Sequence, residues 1–386
     1  MQAFTPFQLG PLQLRNRFLR TAAFEGMSQG GQLSDALIEH HRRVAQGGVA
    51  MTTLSYCSVS RTGRTFAHQL LMSAQLLPRL RDFCDAVHAE GAATCIQLGH
   101  GGGFASPAVI GQRPLAPSPW FNLYGLSLSR AMNPVELRDC IADFGRAVRW
   151  SMEAGFDAVE LHMGHGYLLS QFLSPSTNWR RDDFGGSLQG RMRLGLMVLR
   201  EARRVAGPDY PILVKMNLRD GFDGGLALDE AVACARAFED QGASALVLSG
   251  GFVSRTPFYM LRGAVPTGPM LKVQPSWWRK VGLAAFGHLL VKEYAFERAF
   301  FREDALEVRK QVSLPLVFVG GLRTRVDMER ILSDGFDLLA LGRPLIMNPD
   351  FVNELERGDC VASACEPCNH CIAEMDRGGV RCVAFD

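Results

Sequence analysis

The stretch LHMGHGYLLSQFLSP, residues Leu161–Pro175, places two imidazoles and a phenol, His162, His165 and Tyr167, within six residues. Two histidines three apart can ligate a metal ion, and they can equally aim two N–H donors at one oxygen. A phenol of ordinary pKa about 10 keeps its proton at neutral pH and can still give it to a carbanion. A second reactive group stands near the end of the sequence, where CEPCNHCIAEMDRGGVRC carries Cys365, Cys368, Cys371 and Cys382. Three cysteines at two-residue gaps plus a fourth further on can supply four thiolates to Zn²⁺ or to a [4Fe–4S] cluster. Lys215 is the third oddity. It interrupts the apolar run ILVKMN, where an ammonium needs an anionic partner: a structural carboxylate, or a cofactor that gains negative charge during turnover.

Composition bounds the scaffold. With 386 residues, 47% apolar and 21% charged, the chain can bury one large α/β core or two ordinary ones. The formal charge of +2, with no basic arm or basic-aromatic groove, argues against a nucleic-acid partner. MQAFTPFQLGPLQL lacks a charged n-region and a long apolar core, and no run of roughly eighteen apolar residues occurs. The expectation is a cytoplasmic protein with no membrane partner and a small-molecule substrate, its oligomeric state left open.

Short apolar runs rich in β-branched residues alternate with helical patterns, the signature of repeated βα units. Eight strands are expected: Phe18–Ala22, Val49–Val59, Ala93–Leu98, Ala158–Met163, Ile212–Leu218, Ala245–Ser249, Leu316–Gly320 and Leu338–Gly342. Helical stretches such as LLPRLRDFCDAVHAEG, GRMRLGLMVLREARRVAG, LDEAVACARAFEDQG and RVDMERILSDG lie between them, each ending in glycine. Eight such units predict an α/β fold, a (β/α)₈ TIM barrel with a C-terminal cysteine-rich extension, whose active site gathers at the C-terminal ends of the strands. The unusual polar residues fall in that register: Thr21, Gln97 and His100, His162 and His165, Lys215, Ser249, Gly320 and Gly321, then Gly342 and Arg343. A doubly wound sheet fits less well, since no GxGxxG follows the first strand. Zinc at His162 and His165 is disfavoured because no third ligand stands at a comparable strand end.

The loops after the seventh and eighth strands, VGGLRTR and LGRPL, bring glycines and Arg343 to the place where barrels often hold a phosphate. That points to a phosphate-bearing cofactor.

The run ELHMGHGYLLSQFLSPSTNWRRDDFGGSLQGRMR resembles the signature segment of the old yellow enzyme family, FMN-dependent NAD(P)H oxidoreductases on a (β/α)₈ barrel. LGPLQLRNRFLRTAA, IQLGHGG, VKMN, VFVGGL and ALGRPLI extend the resemblance over roughly residues 1 to 350. It implies that Thr21 and Ala22 contact the flavin ring, Gln97 its pyrimidine edge and Lys215 its N1 and O2 side. Gly320, Gly321, Gly342 and Arg343 would hold the phosphate. His162 and His165 would bind the substrate's carbonyl or nitro oxygen, and Tyr167 would be the proton donor. The implied activity is an ene-reductase: FMN, reduced by NAD(P)H, gives hydride from flavin N5 to an activated alkene.

Three features depart from that pattern. Gly103 stands where the third-strand motif usually has arginine. An insertion at 252–296, with Phe258, Tyr259, Trp277 and Trp278, suggests a lid or a partner surface. The cysteine motif resembles that of the dienoyl-CoA reductase and trimethylamine dehydrogenase branch, which suggests a [4Fe–4S] cluster or zinc on an extension at 349–386, after an FMN-binding barrel at 1–348. Two alternatives stay open: an oxidative flavoenzyme of amine dehydrogenase or demethylase type that passes electrons through such a cluster, and a non-redox barrel lyase or isomerase with Lys215 as a Schiff base.

Overall fold

The structure, a computed structural model, describes residues 2–123, 125–273, 277, 280–281 and 291–384. All eight expected strands form: β1 (Phe18–Arg20), β2 (Met51–Ser58), β3 (Ala93–Gly99), β4 (Ala158–Met163), β5 (Ile212–Asn217), β6 (Ala245–Ser249), β7 (Leu316–Val319) and β8 (Leu338–Leu341). They pair in parallel in sequence order, and β8 closes onto β1. Several expected strands run one or two residues too far at their C-terminal ends, because the residues past those ends already belong to the site loops.

Eight helices cover the outside: α1 (Asp35–Gln46), α2 (Leu77–His88), α3 (Pro134–Ala154), α4 (Leu188–Ala206), α5 (Leu228–Asp240), α6 (Arg302–Arg309), α7 (Arg325–Ser333) and α8 (Phe351–Arg357). Their ends follow local chemistry. Asn133 and Glu136 cap α3 reciprocally around Pro134, Thr324 and Asp327 do the same for α7, and α4 stops at Gly207, whose positive φ of 78° suits glycine. α8 buries Phe351, Val352 and Leu355 in the same core as the barrel helices.

Strand residues alternate faces, so each strand sends one set outward under the helices and the other inward. The inward layer joins Leu19, Met51, Cys95, Ala158, Leu213, Ala245, Val317 and Leu338. Leu9 and Leu14, from the hairpin Phe7–Leu9/Leu12–Leu14, pack into it and close the N-terminal mouth with apolar groups. Two residues further along the same inward faces come Gln97, Glu160 and Lys215. The fold thus leaves its polar residues at the opposite, C-terminal mouth. No helix among the described residues is long and apolar enough to cross a membrane.

Candidate active site

One cavity of about 270 Å³ occupies that mouth. Thr21, Ala22, Gln97, His162, His165, Tyr167, Lys215, Ser249, Gly320, Gly321, Gly342 and Arg343, expected from seven strand ends, all line it, whereas His100, expected in the same register, does not.

Its floor is a polar relay. Lys215 Nζ donates to Thr21 Oγ1 at 2.9 Å and to the Ala22 carbonyl at 3.4 Å, and lies 3.8 Å from Glu160 Oε1. Gln97 Nε2 donates to that same Glu160 oxygen at 2.5 Å. Burial lowers the Lys215 pKa, and the Glu160 carboxylate pulls it back up. The lysine therefore has the structural partner that its burial demanded, and it also faces the cavity. Glu160 lies within the family-like segment, and period-two alternation from His162 places it on the inward face.

Above the floor, His162 and His165 meet edge to face with ring centroids 5.1 Å apart. His165 has a left-handed backbone, φ 60°, rare for a residue with a side chain. Asn217 holds it there, its Oδ1 accepting the His165 backbone N–H at 2.9 Å while its Nδ2 donates to Asp220 Oδ1 and the Gly251 carbonyl. The His165 ring sits 2.7 Å from Ser249 Oγ through Nε2. Burial lowers the pKa of both imidazoles, His165 to about 3, with Lys215 adding to the effect. Each ring is therefore neutral near pH 7 and carries one N–H. His162 Nδ1 is buried with no hydrogen-bond partner in the described structure, a polar atom left for a ligand.

The Tyr167 ring lies 4.6 Å from His162, and a second tyrosine, Tyr56, packs 4.9 Å from Tyr167. The sequence reading missed Tyr56. Its strand β2 slips register against β3 between Leu54 and Cys57, so Ser55 and Tyr56 both line the cavity.

At the far end, Gly321 has φ 73°, and a Cβ there would come within 2.7 Å of the Ala299 nitrogen and the Glu297 oxygen, so only glycine lets the chain pass. Arg323, a cation not singled out in the sequence, lines the cavity beside it with a buried, unpartnered Nε. Arg343 donates to the Arg262 carbonyl and to Asn369 Oδ1, so part of its fork is already held by protein. The floor of Lys215 and Gln97 and the glycines and two cations at the other end would fit an FMN, and the orphaned His162 nitrogen is left for a second ligand.

The tail and the insertion form the roof. Cys365 and Cys371 line the main cavity, and together with Cys368, Cys382 and Arg343 they border a smaller one behind it. Burial raises the Cys365 and Cys371 pKa values, the latter to about 12, while Arg343 lowers both. As placed, no three His, Cys, Asp or Glu residues among those described converge closely enough to hold a metal ion. From the insertion, Met260, Leu261 and Phe296 line the cavity, Phe258 is buried and the Tyr259 ring packs on Phe301. Trp277 is 76% exposed, and Trp278 lies outside the described residues. Insertion and tail are tied by Ala264 N–H to the Pro367 carbonyl and Asn369 Nδ2 to the Ala264 carbonyl. At the departure Gly103, a Cβ would strike the Trp120 indole at 2.6 Å, so Trp120 fills the space of the missing side chain.

Comparison with known proteins places these features. Residues 2–253 match the model of the NADH:flavin oxidoreductase / NADH oxidase family. The chain is 38% identical over 384 residues to the 4,4'-dithiodibutanoate disulfide reductase of Rhodococcus erythropolis, covering 99% of this chain and 95% of that protein. It is 32% identical to the metal reductase of Desulforamulus reducens across 92% of this chain, but spans only 48% of that longer protein. Among solved structures, the old yellow enzyme homologue of Zymomonas mobilis superposes with a TM-score of 0.75 at 21% identity, covering 95% of each chain. A 2-naphthoyl-CoA reductase reaches 0.81 at 22% identity, covering 98% of this chain and 56% of that one; both likenesses show the fold.

Proposed function

The chain belongs to the NADH:flavin oxidoreductase / NADH oxidase family, an FMN-dependent oxidoreductase on a (β/α)₈ barrel, and from that premise we propose that it is an ene-reductase driven by NAD(P)H. Family membership removes the non-redox lyase reading. When bound, FMN would supply two-electron chemistry, taking hydride from the nicotinamide and passing it to the acceptor.

The observation that carries the proposal is the placement of a buried phenol, Tyr167, against two neutral imidazoles over a cationic floor. His162 and His165 orient the acceptor by donating to its carbonyl or nitro oxygen, where negative charge grows. Their neutrality matters, because donors that carry no charge can strengthen as that charge appears without having held a resident anion beforehand. Tyr167 gives its proton to the α-carbon. Thr21, Ala22, Gln97 and Lys215 would hold the ring system of the cofactor, and Gly320, Gly321, Gly342, Arg343 and Arg323 its phosphate.

A second reading has its own support in the full-length match to a disulfide reductase. There, two electrons and two protons convert RSSR to two thiols, and Tyr167 with the histidines would protonate the departing sulfur. Steady-state NAD(P)H oxidation with cyclohexenone against 4,4'-dithiodibutanoate separates the two. A higher kcat/KM for the enone supports the first reading; turnover of the disulfide alone selects the second.

The four tail thiols, Cys365, Cys368, Cys371 and Cys382, are proposed to take one [4Fe–4S] cluster or one zinc. Supporting this, they border one small cavity and act on one another electrostatically. A bound centre would neutralise the thiolates and draw the tail together.

A further inference from the structure

We infer that Tyr56 is a positioning residue for Tyr167: its hydroxyl turns to donate to the Tyr167 oxygen as that oxygen gives up its proton. This rests on the reading of Tyr167 as proton donor and extends it to the group that makes the phenol acidic enough.

The bulge in β2 is the origin. Without the register slip, Tyr56 would alternate outward with Leu54, under the helices; with it, Tyr56 is buried inside, 4.9 Å ring to ring from Tyr167 and 6.1 Å from His162. The two phenols act on each other, Tyr167 adding to burial in raising the Tyr56 pKa. On its other side the Tyr56 hydroxyl bonds Thr65 Oγ1.

The direction of that chain follows from its end. Gln69 Oε1 accepts the Thr65 backbone N–H at 2.7 Å, which fixes which amide atom points there, and it also accepts the Thr65 hydroxyl proton at 3.1 Å. Thr65 has no second proton, so its oxygen receives the one from Tyr56. In the resting protein Tyr56 therefore donates its proton to Thr65.

During reduction the Tyr167 O–H bond breaks as the new C–H bond forms on the substrate, leaving the negative charge on the Tyr167 oxygen until solvent water returns a proton. A rotation about one C–O bond then swings the Tyr56 proton from Thr65 to that phenolate. It gives up a bond between neutral groups for a charge-assisted one, roughly twice as strong. A hydrogen bond present only to the charged form makes Tyr167 the stronger acid.

Tyr56→Phe removes one oxygen and keeps the packed ring. In the FMN-loaded enzyme, with carbon-labelled tyrosine followed by NMR and its Tyr167 signal assigned by Tyr167→Phe, the Tyr167 phenol should ionise about one pH unit or more higher than in the parent. Flavin reoxidation by cyclohexenone should slow about ten-fold or more, with a smaller effect on flavin reduction by NAD(P)H. The double variant with Tyr167→Phe should lose nothing beyond Tyr167→Phe alone. Unchanged Tyr167 ionisation and an unchanged reoxidation rate in Tyr56→Phe would overturn the inference while leaving the proton-donor reading intact. If Tyr167→Phe itself reoxidises at the parent rate, the donor reading falls and this inference with it.

Discussion

The strand-end cavity and the cysteine tail both hold reactive side chains, and the fold treats them differently. At the strand ends, Asn217 clamps the His165 backbone, Ser249 meets its ring, and Glu160 ties Gln97 to Lys215, all of them buried except the half-buried His165. In the tail, four partly exposed cysteines border one cavity, yet no three converge as metal ligands. Barrel closure positions the first group before any ligand arrives. The second group sits on a segment with one short helix, Cys371–Glu374, and would be completed by what it binds. Damage to the two should therefore separate: a strand-end change should alter chemistry in a protein that stays folded, and a tail change should alter local order in a protein that keeps its flavin.

The largest effect falls on chemistry. Tyr167→Phe should slow alkene reduction by about 10²–10⁴-fold while flavin binding and reduction by NAD(P)H persist, as stopped-flow traces of the two half-reactions would record. A parent-like rate with protonation limiting would remove the phenol from the mechanism.

Next in size is ligand binding. Changing His162 and His165 together to Ala should weaken phenol binding to the oxidised enzyme by about a hundred-fold, two donors to a charged oxygen being lost. Charge-transfer absorbance that saturates at the parent phenol concentration would show that the imidazoles do not hold the anion.

Acid should act on the barrel through its buried imidazoles. Burial depresses His40 to about 3 and His100 to about 4, and takes His41 well below its ordinary value of 6.5. The unfolded chain therefore binds protons below pH 6.5 that the folded chain refuses until pH 4 or lower, and stability drops as pH falls through that window. Glu25 opposes this, because burial raises it to about 7 and the folded state then holds a proton that the unfolded state releases above about 4.5. With His162 and His165, five imidazoles against the Glu25 carboxyl leave a net loss, so urea midpoints should fall between pH 6.5 and 4.5 at about 1.4 kcal/mol per pH unit for each uncompensated proton. A flat profile would mean that the imidazoles protonate inside the folded protein.

The smallest global effect should come from the tail. Anaerobically prepared protein should contain about four irons with matching sulfide, or about one zinc, per chain. Cys368→Ser should lower that content and increase amide exchange around residues 365–382, leaving FMN bound. Metal-free protein from careful anaerobic preparation would leave these cysteines as free thiols.

Much of the strand-end site was legible because it depends on periodicity. Strand alternation and helix-ending glycines located eight units, and polar residues at every strand end but the second located most of the cavity lining from Thr21 to Arg343. What stayed hidden depended on departures from the period. A two-residue alternation has no room for the slip at Leu54/Cys57, so Tyr56 could not be assigned to the inside. Arg323 lies beyond the glycines, and only the folded loop brings it back to the cavity. In the tail, spacing named four ligands but carried no information about how far apart the chain would hold them.

The central claim is that electrons pass from NAD(P)H through this cavity to an activated alkene. Anaerobic titration tests it most directly: the purified yellow protein is bleached with one equivalent of NADH or NADPH, then mixed with cyclohexenone while flavin absorbance is followed. The account predicts bleaching by at least one nicotinamide and return of the yellow colour with enone, in step with formation of cyclohexanone. A flavin that neither nicotinamide reduces, or that stays bleached in the presence of enone, would contradict it.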